Sequence, residues 1–251
     1  DVSVTVHLFI WRNIWQKSKW RYCCKDENVP GGNRIMNRKY IVEKVDLTKT
    51  PLEKVWDDIE ELSIDNYLWV DNGYEPITKA KLFYTDTHLH IFFKSYEKEI
   101  KATYFNMNED VYKDSCVEFF VNPKPDKDDR YFNFEMNVVG TLLLGLGINR
   151  HGRKRFDIEN FRDFFNIKTS LTKENFADFK GDFWTVEYSI PFTFFEESFG
   201  KLNITSGYRM KANFYKCGDE TKYPHYGCWN KLENKEPDFH RSEYFGDLIL
   251  E

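Results

Sequence analysis

The sequence predicts an all-β sandwich running from residue 36 to the C-terminus. Short runs with period-two alternation of apolar and polar residues are set apart by turn signals, which is the pattern of strands and not of helical layers. Phe, Trp and Tyr make up 18% of the chain, and such residues suit a pleated, half-buried surface. A chain of 251 residues also buries enough core to fold without a disulfide framework.

Residues 1–35 read differently. They carry Trp11, Trp15 and Trp20, several basic residues and the turn-rich stretch Asn28-Val29-Pro30-Gly31-Gly32-Asn33. We expect an accessory or non-native extension there, with the working unit opening at Met36-Asn37-Arg38-Lys39-Tyr40-Ile41-Val42. Short helices are expected at Leu52–Asp58 and Phe192–Ser198. Strands are expected at Ala80–Tyr84 and His88–Lys94, flanking the Thr85-Asp86-Thr87 turn, and at Ser115–Val121, which ends on Asn122-Pro123-Lys124-Pro125. Further strands are expected at Tyr131–Val139, Thr141–Gly147, Phe165–Thr172, Phe183–Ile190, Tyr208–Lys216 and Phe245–Leu250.

Alternation separates the faces of these strands. Phe132, Phe134, Met136 and Val138 point one way, and Asn133, Glu135 and Asn137 the other. Tyr208, Met210, Ala212 and Phe214 oppose Arg209, Lys211, Asn213 and Tyr215, while Trp184, Val186, Tyr188 and Ile190 oppose Thr185, Glu187 and Ser189. A face that mixes amides, carboxylates and Lys or Arg is either an ordinary wet surface or a floor for sugar hydroxyls, which both donate and accept hydrogen bonds.

Composition narrows the partners. A formal net charge of −5 with both signs interspersed gives no basic field for a phosphate backbone, so nucleic acid is not expected. No apolar run reaches the length of a membrane helix. The apolar stretch Val2–Trp11 is followed, not preceded, by Arg12, Lys17, Lys19 and Arg21, the reverse of a secretory leader. Five cysteines form no C-x-x-C pair, which argues against a zinc framework. Cys217 and Cys228 are placed for a bridge across one hairpin or remain free.

Several motifs occur in order. They are Trp56 in Leu52-Glu53-Lys54-Val55-Trp56, Ala80–Ile91 around Asp86, and Tyr112-Lys113-Asp114-Ser115-Cys116-Val117-Glu118-Phe119-Phe120-Val121. Then come Tyr131–Asn137 with Gly140, Trp184–Pro191, and Trp229 followed by Pro237-Asp238-Phe239-His240 and Phe245-Gly246-Asp247-Leu248. Together, over residues 45–250, they resemble the family 9 carbohydrate-binding modules. The resemblance implies a jelly-roll-like antiparallel β-sandwich, often with structural calcium, holding a sugar end between two aromatic rings. It implies an extracellular or cell-surface setting and association with glycan-degrading enzymes.

Carried over by position, Tyr112 is one ring and Phe239 the other, or Trp229 if the alignment shifts. Glu118 accepts from hydroxyls, Asn133 stands where members of the family can have Arg, and Lys211 where they can have an amide. Glu135 and Asn213 complete the expected floor. A Tyr and a Phe replace the two tryptophans of the family's well-known sandwich and stack more weakly.

Two other classes are weighed. Glu118 and Glu135 on neighbouring strands are a candidate pair for glycoside hydrolysis. His88 and His90, two apart on one strand face, are candidate haem or metal ligands, as in related sandwich domains. The acidic loop Asp126-Lys127-Asp128-Asp129 is the candidate for calcium, without EF-hand spacing. No P-loop, nucleophile elbow or dinucleotide fingerprint is present.

Overall fold

In a computed structural model the chain is described over residues 37–251, so the reading of residues 1–35 as an extension lies outside the described residues. Fourteen strands form two sheets that share their first strand. These are β1 (Lys39–Lys44), β2 (Leu62–Ile64), β3 (Asn66–Tyr67), β4 (Thr78–Tyr84), β5 (His88–Ser95), β6 (Cys116–Asn122) and β7 (Tyr131–Asn137). They continue with β8 (Leu142–Gly147), β9 (Lys154–Arg155), β10 (Lys168–Thr169), β11 (Trp184–Pro191), β12 (Tyr208–Cys217), β13 (Tyr226–Cys228) and β14 (Gly246–Leu250). Helices are short: α1 (Leu52–Asp58), α2 (Phe161–Phe164) and α3 (Phe192–Phe199).

One sheet runs β9-β8-β7-β6-β12-β14-β1, with β13 on β12 and β3 on β13; the other runs β10-β11-β5-β4-β1, with β2 on β4. The first half of β1 pairs with β14 (Lys39↔Asp247) and its end pairs with β4 (Glu43↔Phe83). Both pairings are parallel, whereas all others are antiparallel. The sandwich is therefore mostly antiparallel, departing from the expectation at the strand that stitches the sheets. The run Phe165–Thr172 also differs. Only Lys168–Thr169 pairs, because α2 and the left-handed Asn166 occupy the preceding chain.

The predicted dry faces meet between the sheets. Phe132, Phe134 and Met136 of β7, Met210, Ala212 and Phe214 of β12, and Trp184, Val186 and Tyr188 of β11 form one core with Leu82, Ile91 and Phe93. Burial of this apolar surface is the main driving force for the fold. A polar knot closes one end of the core. Buried Lys216 Nζ donates to Glu97 Oε2 at 3.0 Å, to His225 Nε2 at 2.7 Å and to Cys217 O at 2.9 Å. Glu97 also accepts from Trp184 Nε1 and Ser115 Oγ, each at 3.0 Å. The knot thus fixes the starts of β6 and β11 against the end of β12.

The polar face of β7 is not wet. Asn133, Glu135 and Asn137 are all buried, because loops rise over this outer face and turn it into the floor of a cavity. The polar face of β11 looks out from the other sheet and takes no part in that floor.

Candidate functional site

The floor comes from three adjacent strands in tight register. Tyr215 of β12 lies opposite Glu118 of β6, which lies opposite Glu135 of β7. Directly opposed side chains on one face bring their Cβ atoms to about 5 Å, so the two carboxyl groups sit side by side. One row on, Cys217 lies opposite Cys116 and Cys116 opposite Asn137. Walls are added by Trp69, Tyr112, Tyr226, the segment Arg150–Arg153 with Arg155, Asp219, and Pro237–His240, enclosing a cavity of about 410 Å³.

Glu118 is 2% and Glu135 4% exposed. The Cys217 thiol donates to Glu118 Oε1 at 3.0 Å, whereas Glu118 Oε2 is buried and has no hydrogen-bond partner among the described residues. Glu135 Oε1 accepts from Asn133 Nδ2 at 2.7 Å. Burial, reinforced by Cys217 and by Glu135, holds the Glu118 carboxyl well above the usual carboxylate range. Burial likewise pushes Glu135 up to about 7, against the Asn133 hydrogen bond and the charges of Arg155 and Arg153. A buried acceptor without a partner is unusual in a folded protein, and Glu118 is one of the residues that line the cavity.

Aromatic rings frame this floor. Phe239 stacks on Tyr215 with centroids 4.1 Å apart and planes at 15°, and the Tyr215 hydroxyl donates to Phe239 O at 3.0 Å. Trp69 packs against Phe239 and Tyr226, with its indole N–H donating to Asn234 O at 2.8 Å. Trp69 has a φ of 67°, a left-handed backbone that a bulky residue holds only where its surroundings demand it. Tyr112 faces in from the 3-10 turn Val111–Lys113. His240 lies 4.8 Å from Phe120 between centroids, its Nδ1 3.1 Å from the Tyr131 hydroxyl, and burial together with nearby arginines lowers it to about 3.

Of the residues predicted from sequence, Tyr112, Glu118, Glu135 and Phe239 are brought together in the cavity. Asn133 is buried behind it, donating to Glu135 and accepting from Arg153 Nε at 2.8 Å. The guanidinium absent from position 133 is thus delivered beside it from the segment before β9. Asn213 is also a frame residue, donating to Asn230 O at 2.9 Å and accepting from Asn230 N at 2.8 Å. Lys211 sits outside the cavity, 3.0 Å from Asp247. Trp229 is 3% exposed, packed edge-on to Phe214 with centroids 5.6 Å apart. As a core residue it offers no platform, so that placement is corrected.

Sequence reasoning missed Trp69, Phe120, Tyr226, Arg150, Arg153, Arg155, Cys217 and Asp219, which also line the cavity. Gly145 and Gly147 were the available signal for Arg153. They alternate on the outer face of β8, and a Cβ at Gly145 would stand 2.6 Å from Asn133 Oδ1 and 3.4 Å from Arg153 Nε. Their bareness lets the guanidinium cross the strand.

Metal chemistry finds little purchase in the predicted places. His90 stacks on Phe83 at 4.4 Å and burial lowers it to about 4; His88 contacts the Thr87 hydroxyl at 2.8 Å, with its ring centroid 5.9 Å from that of His90. Met136 lies in the core, so haem or metal binding at this pair is unsupported. In the acidic loop Asp126 pairs with Arg209 and Asp128 with Arg130, while Asp129 is exposed. Among the described residues, the grouping of three side chains close enough to share an ion is Cys116, Glu118 and Cys217. Its thiols are soft donors, unlike the all-oxygen shell that calcium takes. Cys217 faces Cys116 and not Cys228, and all three thiols are free and buried.

The family model for carbohydrate-binding family 9 matches residues 50–250. The chain belongs to carbohydrate-binding family 9. The module's fold matches a "putative carbohydrate-binding protein" from Bacteroides uniformis with a TM-score of 0.72 and 28% identity, covering 86% of this chain and 100% of that one. It also matches a family 9 module from Caldicellulosiruptor kristjanssonii in complex with glucose, at a TM-score of 0.56 and 14% identity over 85% and 96% of the two chains. The same organism's module in complex with cellotriose matches at 0.55 and 14%, over 85% and 93%. No curated protein matches the sequence.

Proposed function

We propose that this module binds carbohydrate in the cavity over β12, β6 and β7 without altering it chemically. The observation that carries the reading is the pair Glu118–Glu135 on the floor, with Glu118 Oε2 unpartnered, beneath the rings of Tyr112 and Phe239. Sugar hydroxyls satisfy such an oxygen, and an aromatic ring packs on the apolar C–H face of a pyranose. Relatives of the same fold in complex with glucose and cellotriose support the ligand class.

Hydrolysis fits this arrangement poorly. A glycosidase places one carboxyl on each side of the scissile bond, with one of them ionised. Here both groups stand side by side on one floor, directly opposite each other on neighbouring strands. The reading also makes glycan-degrading enzymes the expected partners, since a binder of this kind holds an enzyme near its polysaccharide.

The test is calorimetry against a panel of mono- and oligosaccharides for wild type, Tyr112→Ala and Phe239→Ala. Both substitutions are expected to weaken binding about tenfold or more, the loss of a stacking ring. Absence of binding to every saccharide, or binding unmoved by both substitutions, overturns the reading. Reducing-sugar release abolished by Glu118→Gln would overturn the non-catalytic part alone.

A further inference from the structure

One wall of the cavity is basic, and its guanidiniums form no ion pair among the described residues. Arg38, Arg130, Arg209 and Arg241 each lie within 4.0 Å of a carboxylate. Arg150, Arg153 and Arg155 line the cavity, and none has such a partner among the described residues. Arg153 is locked by neutral groups only. Its Nε donates to Asn133 Oδ1, its Nη1 to Asn149 O and its Nη2 to Tyr131 O, each at 2.8 Å, and its guanidinium lies 4.4 Å from the Tyr131 ring centroid. Arg150 donates to Pro237 O at 3.1 Å. Four carboxyls share the cavity with this wall, those of Glu118, Glu135, Asp219 and Asp238, and among the described residues none of them lies within 4.0 Å of its guanidiniums.

A guanidinium that is half-buried, fixed in direction and unpaired is a recognition group for an anion, because its planar fork matches a carboxylate or an ester oxyanion. A neutral sugar would leave these guanidiniums without an anionic partner in contact. We infer that the cavity selects an anionic sugar, one carrying a uronic carboxylate or a sulfate ester, with the anion on the Arg150–Arg155 wall and the ring hydroxyls on Glu118 and Glu135. This rests on the carbohydrate reading above and specifies the class of sugar.

Four ligands and two neutral parents test it: glucuronic acid, galacturonic acid, glucose 6-sulfate and galactose 6-sulfate against glucose and galactose, by calorimetry in 50 mM and 500 mM sodium chloride. At least one anionic sugar is expected to bind about tenfold more tightly than its parent at low salt, the equivalent of one charge-assisted contact. That ratio should shrink at high salt, where the screening length falls below 10 Å. The ratio should also fall in Arg155→Gln and in Arg150→Gln, both exposed positions whose folding is checked by thermal melting. Uronates alone passing identifies a carboxylate ligand, and sulfated sugars alone a sulfate ester; either supports the inference. Equal affinity for neutral and anionic sugars, or a ratio indifferent to salt and to both substitutions, overturns the inference and leaves carbohydrate binding standing. Binding of neither class removes both.

Discussion

Arg153 reaches Asn133 across the bare backbone of Gly145, with Nε and Oδ1 2.8 Å apart. The same asparagine donates to Glu135, so one amide orients both a guanidinium and a carboxyl of the cavity. Gly145→Ala should break this link, since its new Cβ would stand 2.6 Å from Asn133 Oδ1. We expect a loss of ligand affinity of about tenfold, with a fall in stability of roughly 1–3 kcal/mol from overpacking. Calorimetry and denaturant titration on the same variant check it, and unchanged affinity would sever Arg153 from the site.

Trp229 and Phe239 should separate by phenotype. Trp229→Ala removes a core ring between β12 and β14 and is expected to lose about 3–5 kcal/mol of stability, read as a fall in melting temperature of roughly 10 °C. Phe239→Ala, at the cavity wall, should instead weaken ligand binding with a far smaller shift in melting temperature. Equal melting temperatures for the two variants would contradict the placement of Trp229.

Glu135 gives the fold a pH dependence of definite sign. Its carboxyl is raised from 4.5 to about 7 by burial, so the folded state holds more protons than the unfolded chain between those values. The stability it contributes is complete below pH 4.5 and is lost as pH rises to about 7, with no further change above. Glu135→Gln, which keeps an acceptor for the Asn133 amide, should flatten that slope. Denaturant midpoints at pH 5 and pH 8 for both proteins measure it; parallel slopes would refute it.

The buried Lys216–Glu97 pair should be intolerant of single removals. Glu97→Ala leaves the Lys216 ammonium without its counter-charge, and the Trp184 N–H and Ser115 hydroxyl without their acceptor, and loss of one partner of a buried pair typically costs about 3–5 kcal/mol. Chemical denaturation provides the number, and a loss under about 1 kcal/mol would show that water replaces the carboxylate.

The strands were legible because their alternation records which side faces the core, as β7 and β12 show residue by residue. Glu135 was legible as a cavity residue through period two, and Tyr112, Glu118 and Phe239 through the ordered motifs, since Tyr112 lies in a 3-10 turn and Phe239 in a loop. Alternation reports a side, however, and not what covers it. It therefore made Asn133 and Asn213 ligand contacts, when neighbouring loops make them internal braces. The arginine wall was hidden for a related reason. Arg150, Arg153 and Arg155 lie in a turn and a two-residue strand without periodicity, and only the glycine pair on β8 hints that something crosses it. Trp229 misled because a buried ring and a binding ring have the same letter in a sequence.

The pairing of β1 with β14 has a consequence for how the module is made. Lys39 and Asp247 are partners in one ladder, so the strand synthesised first has no neighbour on that edge until nearly the whole domain has been translated. The same strand stitches the second sheet through Glu43 and Phe83, and every strand of that sheet precedes β12 in the chain, so the second sheet can form before β14 closes the first. Closure of the first sheet joins strands far apart in the sequence, which belongs to the slow end of folding rates, and until β14 is in place that edge of β1 is open to foreign strands.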